Sequence, residues 1–176
     1  IVKRFYKMGQ NRIKTGILIE IENNSVKDTS LGVMTAAAGQ EIYALVPLDD
    51  ISAVKDKLAE YGADYIVSMK GMAKEKASPD FQAGLLVEAV KEYQFKALIG
   101  TASAQGKDLF ARTAAILDEA LISDCIQLDI EGKKAVKSHF SGKTFATLKV
   151  NGSILLSTVR PNAIEAIAAP VRGEVL

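Results

Sequence analysis

The feature that most constrains this chain is an alternation repeated four times before residue 125. Each repeat is a short run of aliphatic or β-branched residues followed by a stretch with apolar residues at helical spacing. Strand, helix, strand, helix with short connections predicts a parallel sheet flanked by helices and joined by right-handed crossovers. The runs GILIEIE at 16–22, EIYALV at 41–46, YIVSM at 65–69 and ALI at 97–99 are the strands. Asp28 is an N-cap for a first helix to Ala38, with Leu31, Met34 and Ala38 on one face. Ile51, Val54, Leu58 and Tyr61 mark a second helix, closed by Gly62. Ser78-Pro79 opens a third helix that runs to Tyr93, because proline suits the first helical position after a capping serine.

The fourth repeat, residues 97–124, organises the rest. Its strand ends on Gly100, a polar turn covers 101–107, and a helix follows with Phe110, Ala114, Leu117 and Leu121 on one face. Ligands of open α/β sheets sit at the carboxyl ends of the strands, and a helix N-terminus offers unpaired N–H groups there. Thr101, Gly106 and Lys107 are therefore the candidate cofactor-binding residues. The pattern is not a full P-loop, because Asp108 stands where that motif has Ser or Thr; stabilisation of the helix dipole by Asp108 is the alternative reading.

Beyond residue 125 the pattern changes. Residues 125–130, 135–140, 145–150 and 153–159 read as short strands, with Glu131-Gly132 and Asn151-Gly152 as hairpin turns. Antiparallel strands are thus expected to extend or cap the parallel sheet. The fold class is α/β, a Rossmann-like three-layer arrangement of the adenine-nucleotide-hydrolase type, with antiparallel strands added in the C-terminal third. Residues 1–12, with four basic and no acidic side chains, form a basic extension or remnant; 13–168 form one domain; 169–176 begin a linker.

The composition excludes several classes. At 48% hydrophobic and 24% charged residues the chain is globular. A net charge of +1 gives no support to nucleic-acid binding, and no apolar run is long enough to span a membrane. A single cysteine fits a reducing compartment, with cytoplasm the expectation. Cys125 and His139 have no third orienting group for a catalytic dyad and no metal-ligand spacing. Asp118, Glu119 and Asp124 read as solvated helix-end charges, or Asp118 as pairing with Arg112 or Lys107, ahead of a metal or general-acid role. Five lysines between Lys133 and Lys149 protect strand edges or meet an acidic partner.

Three segments together resemble the alpha subunit of the electron transfer flavoproteins. They are Thr101-x4-Gly106-Lys107-Asp108-Leu109-x2-Arg112-x-Ala114-x2-Leu117-Asp118 with Ile122-Ser123-Asp124, then Phe140-Ser141-Gly142-Lys143 with Ala146-Thr147, then Thr158-Val159-Arg160-Pro161. The resemblance runs from about Ile17 to Ala168; Ala111 and Ile164 stand where the family usually has proline and phenylalanine. It implies the N-terminal domain of a longer subunit whose second domain, absent here, holds FAD. It also implies a beta-subunit partner that carries AMP, and electron transfer from flavin dehydrogenases to a quinone oxidoreductase. The chain is then an electron-carrier fragment, not an enzyme, in a bacterial cytoplasm or mitochondrial matrix. A homodimer of the isolated domain is a further expectation, through Phe140, Phe145, Ile154, Leu156, Ile164 and Ile167. The rival readings are a free-standing adenine-nucleotide-binding module of related fold and a small hydrolase using the loop after the fourth strand.

Overall fold

The computed structural model describes residues 12–73 and 77–176. The elements in chain order are β1 (Lys14–Leu18), β2 (Ile21–Glu22), β3 (Ser25–Val26), α1 (Asp28–Ala36), β4 (Glu41–Val46), α2 (Lys55–Glu60), β5 (Tyr65–Ser68) and α3 (Pro79–Tyr93). Then come β6 (Ala97–Thr101), α4 (Ala104–Leu117), β7 (Leu121–Cys125), β8 (Gln127–Asp129), β9 (Lys134–His139), β10 (Thr144–Lys149), β11 (Leu155–Val159) and β12 (Glu174–Val175), with a 3-10 turn at Phe140–Gly142. A seven-stranded sheet in the order β12-β5-β4-β1-β6-β11-β7 is parallel at every pairing.

The side-chain alternation of the strands builds two cores. Ile17, Ile19, Ile99 and Leu155 meet Leu31, Met34, Val54 and Leu58 on the face of α1 and α2. Leu18, Leu45, Leu98 and Leu156 meet Leu86, Val90, Leu109 and Phe110 on the face of α3 and α4. Consecutive residues of one strand point to opposite faces, and both faces are buried, so these strands read as continuous apolar runs. The three-layer α/β expectation holds.

Helix ends follow local chemistry. Ser78 caps α3, its hydroxyl accepting from the Phe81 N–H at 3.2 Å, with Pro79 at the first turn. Ser103 caps α4, accepting from the Gly106 N–H at 2.9 Å. Asp28 is the first residue of α1 and not its cap; Lys27 occupies that position without a side-chain bond.

Three expectations for the C-terminal third are corrected. The organising helix does not reach Leu121: Asp118 turns left-handed at φ 54° and Leu121 opens β7. Leu121 suited either period, helical from Phe110 or extended with Ile122. Next, Asn151-Gly152 is not a hairpin turn. It leads from β10 into β11, which runs parallel between β6 and β7 with all five residues buried, a place that rewards LLSTV on both faces. Lys133 Nζ holds that bend by donating to the carbonyls of Gly152 at 2.6 Å and Ser153 at 3.1 Å. Last, Ile154 and Leu156 are core residues at 3% and 0% exposure, so they form no association surface.

The Glu131-Gly132 turn does join antiparallel strands. With β10 they form a separate sheet, β10-β9-β8, whose Leu128 and Ala135 pack on the α1-side core. The basic stretch 1–11 lies outside the described residues; Arg12, counted with it, bonds Asp64 Oδ1 at 3.0 Å. Residues 169–176, expected to begin a linker, run past α2 and add β12 to the free edge of β5. The N–H groups of Ala169 and Val171 donate to Glu60 and Ala59, and Leu176 N–H to Ile66.

Candidate functional site: the crevice at the strand-order switch

Strand order reverses at β1: successive strands go to one side through β4 and β5, then the chain returns to place β6 on the other. The carboxyl ends of β1 and β6 therefore part and leave a crevice, the position where open α/β sheets bind ligands. It holds a cavity of about 570 Å³. Leu18, Ile21, Pro47, Leu48, Met72 and Leu109 give its apolar wall, and Glu20, Lys27, Gln82, Ser103 and Gln105 its polar groups.

Of the three sequence candidates, only Gly106 lines this cavity. Its glycine character serves packing. A Cβ there would lie 2.0 Å from the Thr101 carbonyl oxygen, so the first turn of α4 closes on the end of β6 only without a side chain. Thr101 is buried at the end of β6, and its Oγ1 has no hydrogen-bond partner among the described residues. Lys107 is exposed, and its charge acts on Asp124, helping Arg160 to hold that carboxyl below the usual range.

Sequence reasoning missed Glu20, which decides the electrostatics. Its backbone is fixed by the Ser30 hydroxyl, which accepts from the Glu20 N–H at 2.9 Å. Its carboxylate accepts a short hydrogen bond from the Ser103 hydroxyl, and Lys27 Nζ stands 3.9 Å from the other oxygen. Ser103 thus spends its acceptor on capping α4 and its donor on Glu20. The signal in the sequence was an acidic residue directly after GILI, at the carboxyl end of the first strand.

The first turn of α4 at this crevice is capped by Ser103, which accepts from the Gly106 N–H, and is faced by the Glu20 carboxylate with Lys27 beside it.

The other singled-out residues are structural ties. Arg112 does not pair with Asp118; it joins Asp108 at 3.0 Å and Asp80 at 2.5 Å, pinning α4 to the start of α3. Arg160 joins Asp124 at 2.7 Å and Ser138 at 2.7 Å, fixing β9 to the end of β11. Glu119 accepts from the Ser153 N–H at 3.0 Å. Cys125 is sealed in the core, 3.1 Å from the Ser157 hydroxyl, and burial pushes its thiol pKa up. His139 is exposed beside Phe140, so the two do not share a site. Among the described residues no three His, Cys, Asp or Glu side chains converge on a metal position, and no helix is long and apolar enough to cross a membrane.

The second exposed feature is the β8–β10 arm. Phe140 and Phe145 are 79% and 65% exposed, and the chain from Gly132 to Ile164 holds five lysines and no acidic residue. Among the described residues strand β10 pairs only with β9.

Comparison with known proteins decides the family: the electron transfer flavoprotein domain matches residues 15–175. The chain belongs to the electron transfer flavoprotein family. Relatives named electron transfer flavoprotein subunit alpha include one from Syntrophomonas wolfei, 24% identical over 86% of this chain and 49% of the relative. One from Bacillus subtilis is 26% identical over 84% of this chain and 46% of the relative. A probable mitochondrial subunit alpha from Schizosaccharomyces pombe is 28% identical over 89% and 46%. The chain thus spans about half the length of the curated relatives it matches.

Proposed function

We propose that this chain is the parallel α/β domain of an electron transfer flavoprotein alpha subunit, and that it works as a platform for assembly. The observation that carries the reading is a family match over nearly the whole chain that occupies only about half of each relative. The FAD of the intact subunit is then held mainly outside this domain. The partner is a beta subunit carrying AMP. The assembled heterodimer takes electrons from flavin dehydrogenases and delivers them to a quinone oxidoreductase. This domain contributes position and surface, while the flavin supplies the redox chemistry.

The surface is the β8–β10 arm. Two exposed phenylalanines on a sheet with an open edge are unusual for a free-standing protein, and the acid-free lysine run favours an acidic face opposite. The rival reading as a nucleotide-binding module has the carboxylate of Glu20 against it.

The test mixes the chain with an electron transfer flavoprotein beta subunit and measures mass by light scattering after gel filtration. A one-to-one complex is expected. Phe145→Asp with Lys143→Glu should abolish it while the far-UV spectrum stays unchanged, and the chain alone should be free of flavin colour. Absence of a complex, homodimerisation through the arm in its place, or stoichiometric flavin on the isolated chain would overturn the proposal.

A further inference from the structure

We propose that the tyrosine stack between β4, β5 and the end of α3 is where this domain gives up an electron to a one-electron oxidant, with Glu41 receiving the phenol proton. The chain has five tyrosines, one cysteine and no tryptophan, so tyrosines and the thiol are its candidates for one-electron loss. Cys125 is fully buried and its pKa is pushed up, which withholds the thiolate. Three of the tyrosines meet. Tyr43 on β4 and Tyr65, the first residue of β5, pair in register, and their rings stack with centroids 4.6 Å apart. Tyr93, the last residue of α3, lies 5.3 Å from Tyr43, and Phe95 meets the Tyr43 ring edge-on at 5.1 Å. Gly16, in register with Tyr43 on β1, leaves room for Phe95: a Cβ there would stand 2.6 Å from its ring.

A phenol that loses an electron becomes a strong acid, so its proton needs an acceptor already in place. Glu41 and Tyr43 are two apart on β4 and share a face. The Tyr43 hydroxyl donates to Glu41 Oε1 at 3.1 Å, within reach for proton transfer. Burial, and then Glu41, push the Tyr43 pKa up, so the ring enters the step as the neutral phenol. The oxidant gains one electron, the O–H bond of Tyr43 breaks, its proton goes to the Glu41 carboxylate, and a neutral tyrosyl radical remains. Lys14 Nζ, 6.0 Å from the Tyr43 ring, disfavours a cation there and so favours departure of proton and electron together. Tyr43 is 5% exposed, whereas Tyr65 and Tyr93 are half-buried, so these two rings meet the oxidant and pass the vacancy inward. Tyr61, by contrast, has Lys57 Nζ 4.6 Å over its ring, a charge that opposes electron loss. Tyr6 lies outside the described residues. A second oxidation at Tyr65, with its proton going to water, lets the two radicals join through ring carbons beside the oxygens, a net loss of two protons and two electrons. None of this needs a partner subunit or a flavin, so its failure leaves the assembly role intact.

The experiment illuminates the 176-residue chain with tris(bipyridine)ruthenium(II) and a cobalt(III) pentammine acceptor, which generates a ruthenium(III) one-electron oxidant. Electron paramagnetic resonance after rapid freezing reads the tyrosyl radical, and peptide mass spectrometry locates the products. Products should concentrate on Tyr43, Tyr65 and Tyr93, with a Tyr43–Tyr65 cross-link, and Tyr61→Phe should leave the radical yield unchanged. Tyr43→Phe should lower the yield at least about tenfold. Glu41→Gln should lower it too and make it rise with the concentration of buffer base, because the proton must then leave to a dissolved base. A merely structural role for Glu41 would not produce that dependence. The peptide map of the parent chain decides even where a variant fails to fold. Products spread evenly over Tyr61 and the stack, an undiminished yield in Tyr43→Phe, or a Glu41→Gln yield matching the parent at every buffer concentration would overturn the inference.

Discussion

Gly106 and Gly84 show how differently two helical glycines behave. A methyl group on Gly106 meets a backbone carbonyl that cannot move without displacing the end of β6, so Gly106→Ala should cost about 3 kcal/mol. Gly84, inside α3, has nothing within 4 Å of the same methyl group, and Gly84→Ala should gain about 0.5–1 kcal/mol. Urea unfolding of both variants checks the opposite signs. The Asp124–Arg160 pair predicts a pH dependence. Hydrogen bonding from Arg160 holds the Asp124 carboxyl below its usual range, so its folded pKa lies under the unfolded value of about 3.9. Its contribution is fully present above that value and is lost as pH falls through the folded pKa. The pair is partly exposed, which keeps the contribution small. Unfolding midpoints taken from pH 7 to pH 3 should converge for the parent chain and Asp124→Asn at the acid end.

Elements in this protein are defined by how many of their faces are covered. Strand β11 is buried on both, between β6 and β7, whereas β10 is exposed at five of its six positions. A charge should therefore be tolerated on one and not on the other. Leu156→Asp puts an unpaired carboxylate among Leu86, Leu98 and Phe110, and should destabilise by several kcal/mol or prevent folding. Thr147→Asp, on β10, should change the unfolding midpoint by less than about 0.5 kcal/mol. The contrast separates these elements where sequence pattern alone read them as two arms of one hairpin.

At the scale of the molecule, the chain closes its sheet with its own far segment. Residues 161–176 cross α1, where Ile167 N–H donates to Thr35 Oγ1 at 2.9 Å, and then lie along α2 to reach β5. This covers an edge that would otherwise present unpaired strand groups. Removing residues 169–176 should lower the melting temperature by about 5 °C or more and promote aggregation on heating. Differential scanning calorimetry with light scattering measures both. The opposite edge, β7, is tied to the arm through Arg160, so the two ends of the sheet are secured by different means.

The sequence by itself determined what short-range chemistry specifies. The bounds Glu41–Val46 and Pro79–Tyr93 follow from aliphatic runs and from the Ser78-Pro79 start, and the parallel three-layer plan follows from alternation. The three spaced motifs were enough to mark the family. Tertiary structure decided what depends on neighbours distant in sequence. Leu121 joined a strand because β11 lies beside it, and Asn151-Gly152 became a crossover bend because two buried faces were open to LLSTV between β6 and β7. The same holds in the crevice. Gly106 was visible at a helix start and Ser103 only as part of a polar turn, and the meaning of both depended on Glu20, 83 residues from Ser103, whose carboxylate lies at the first turn of α4. No local pattern carries that pairing, because it arises only where β1 and β6 part.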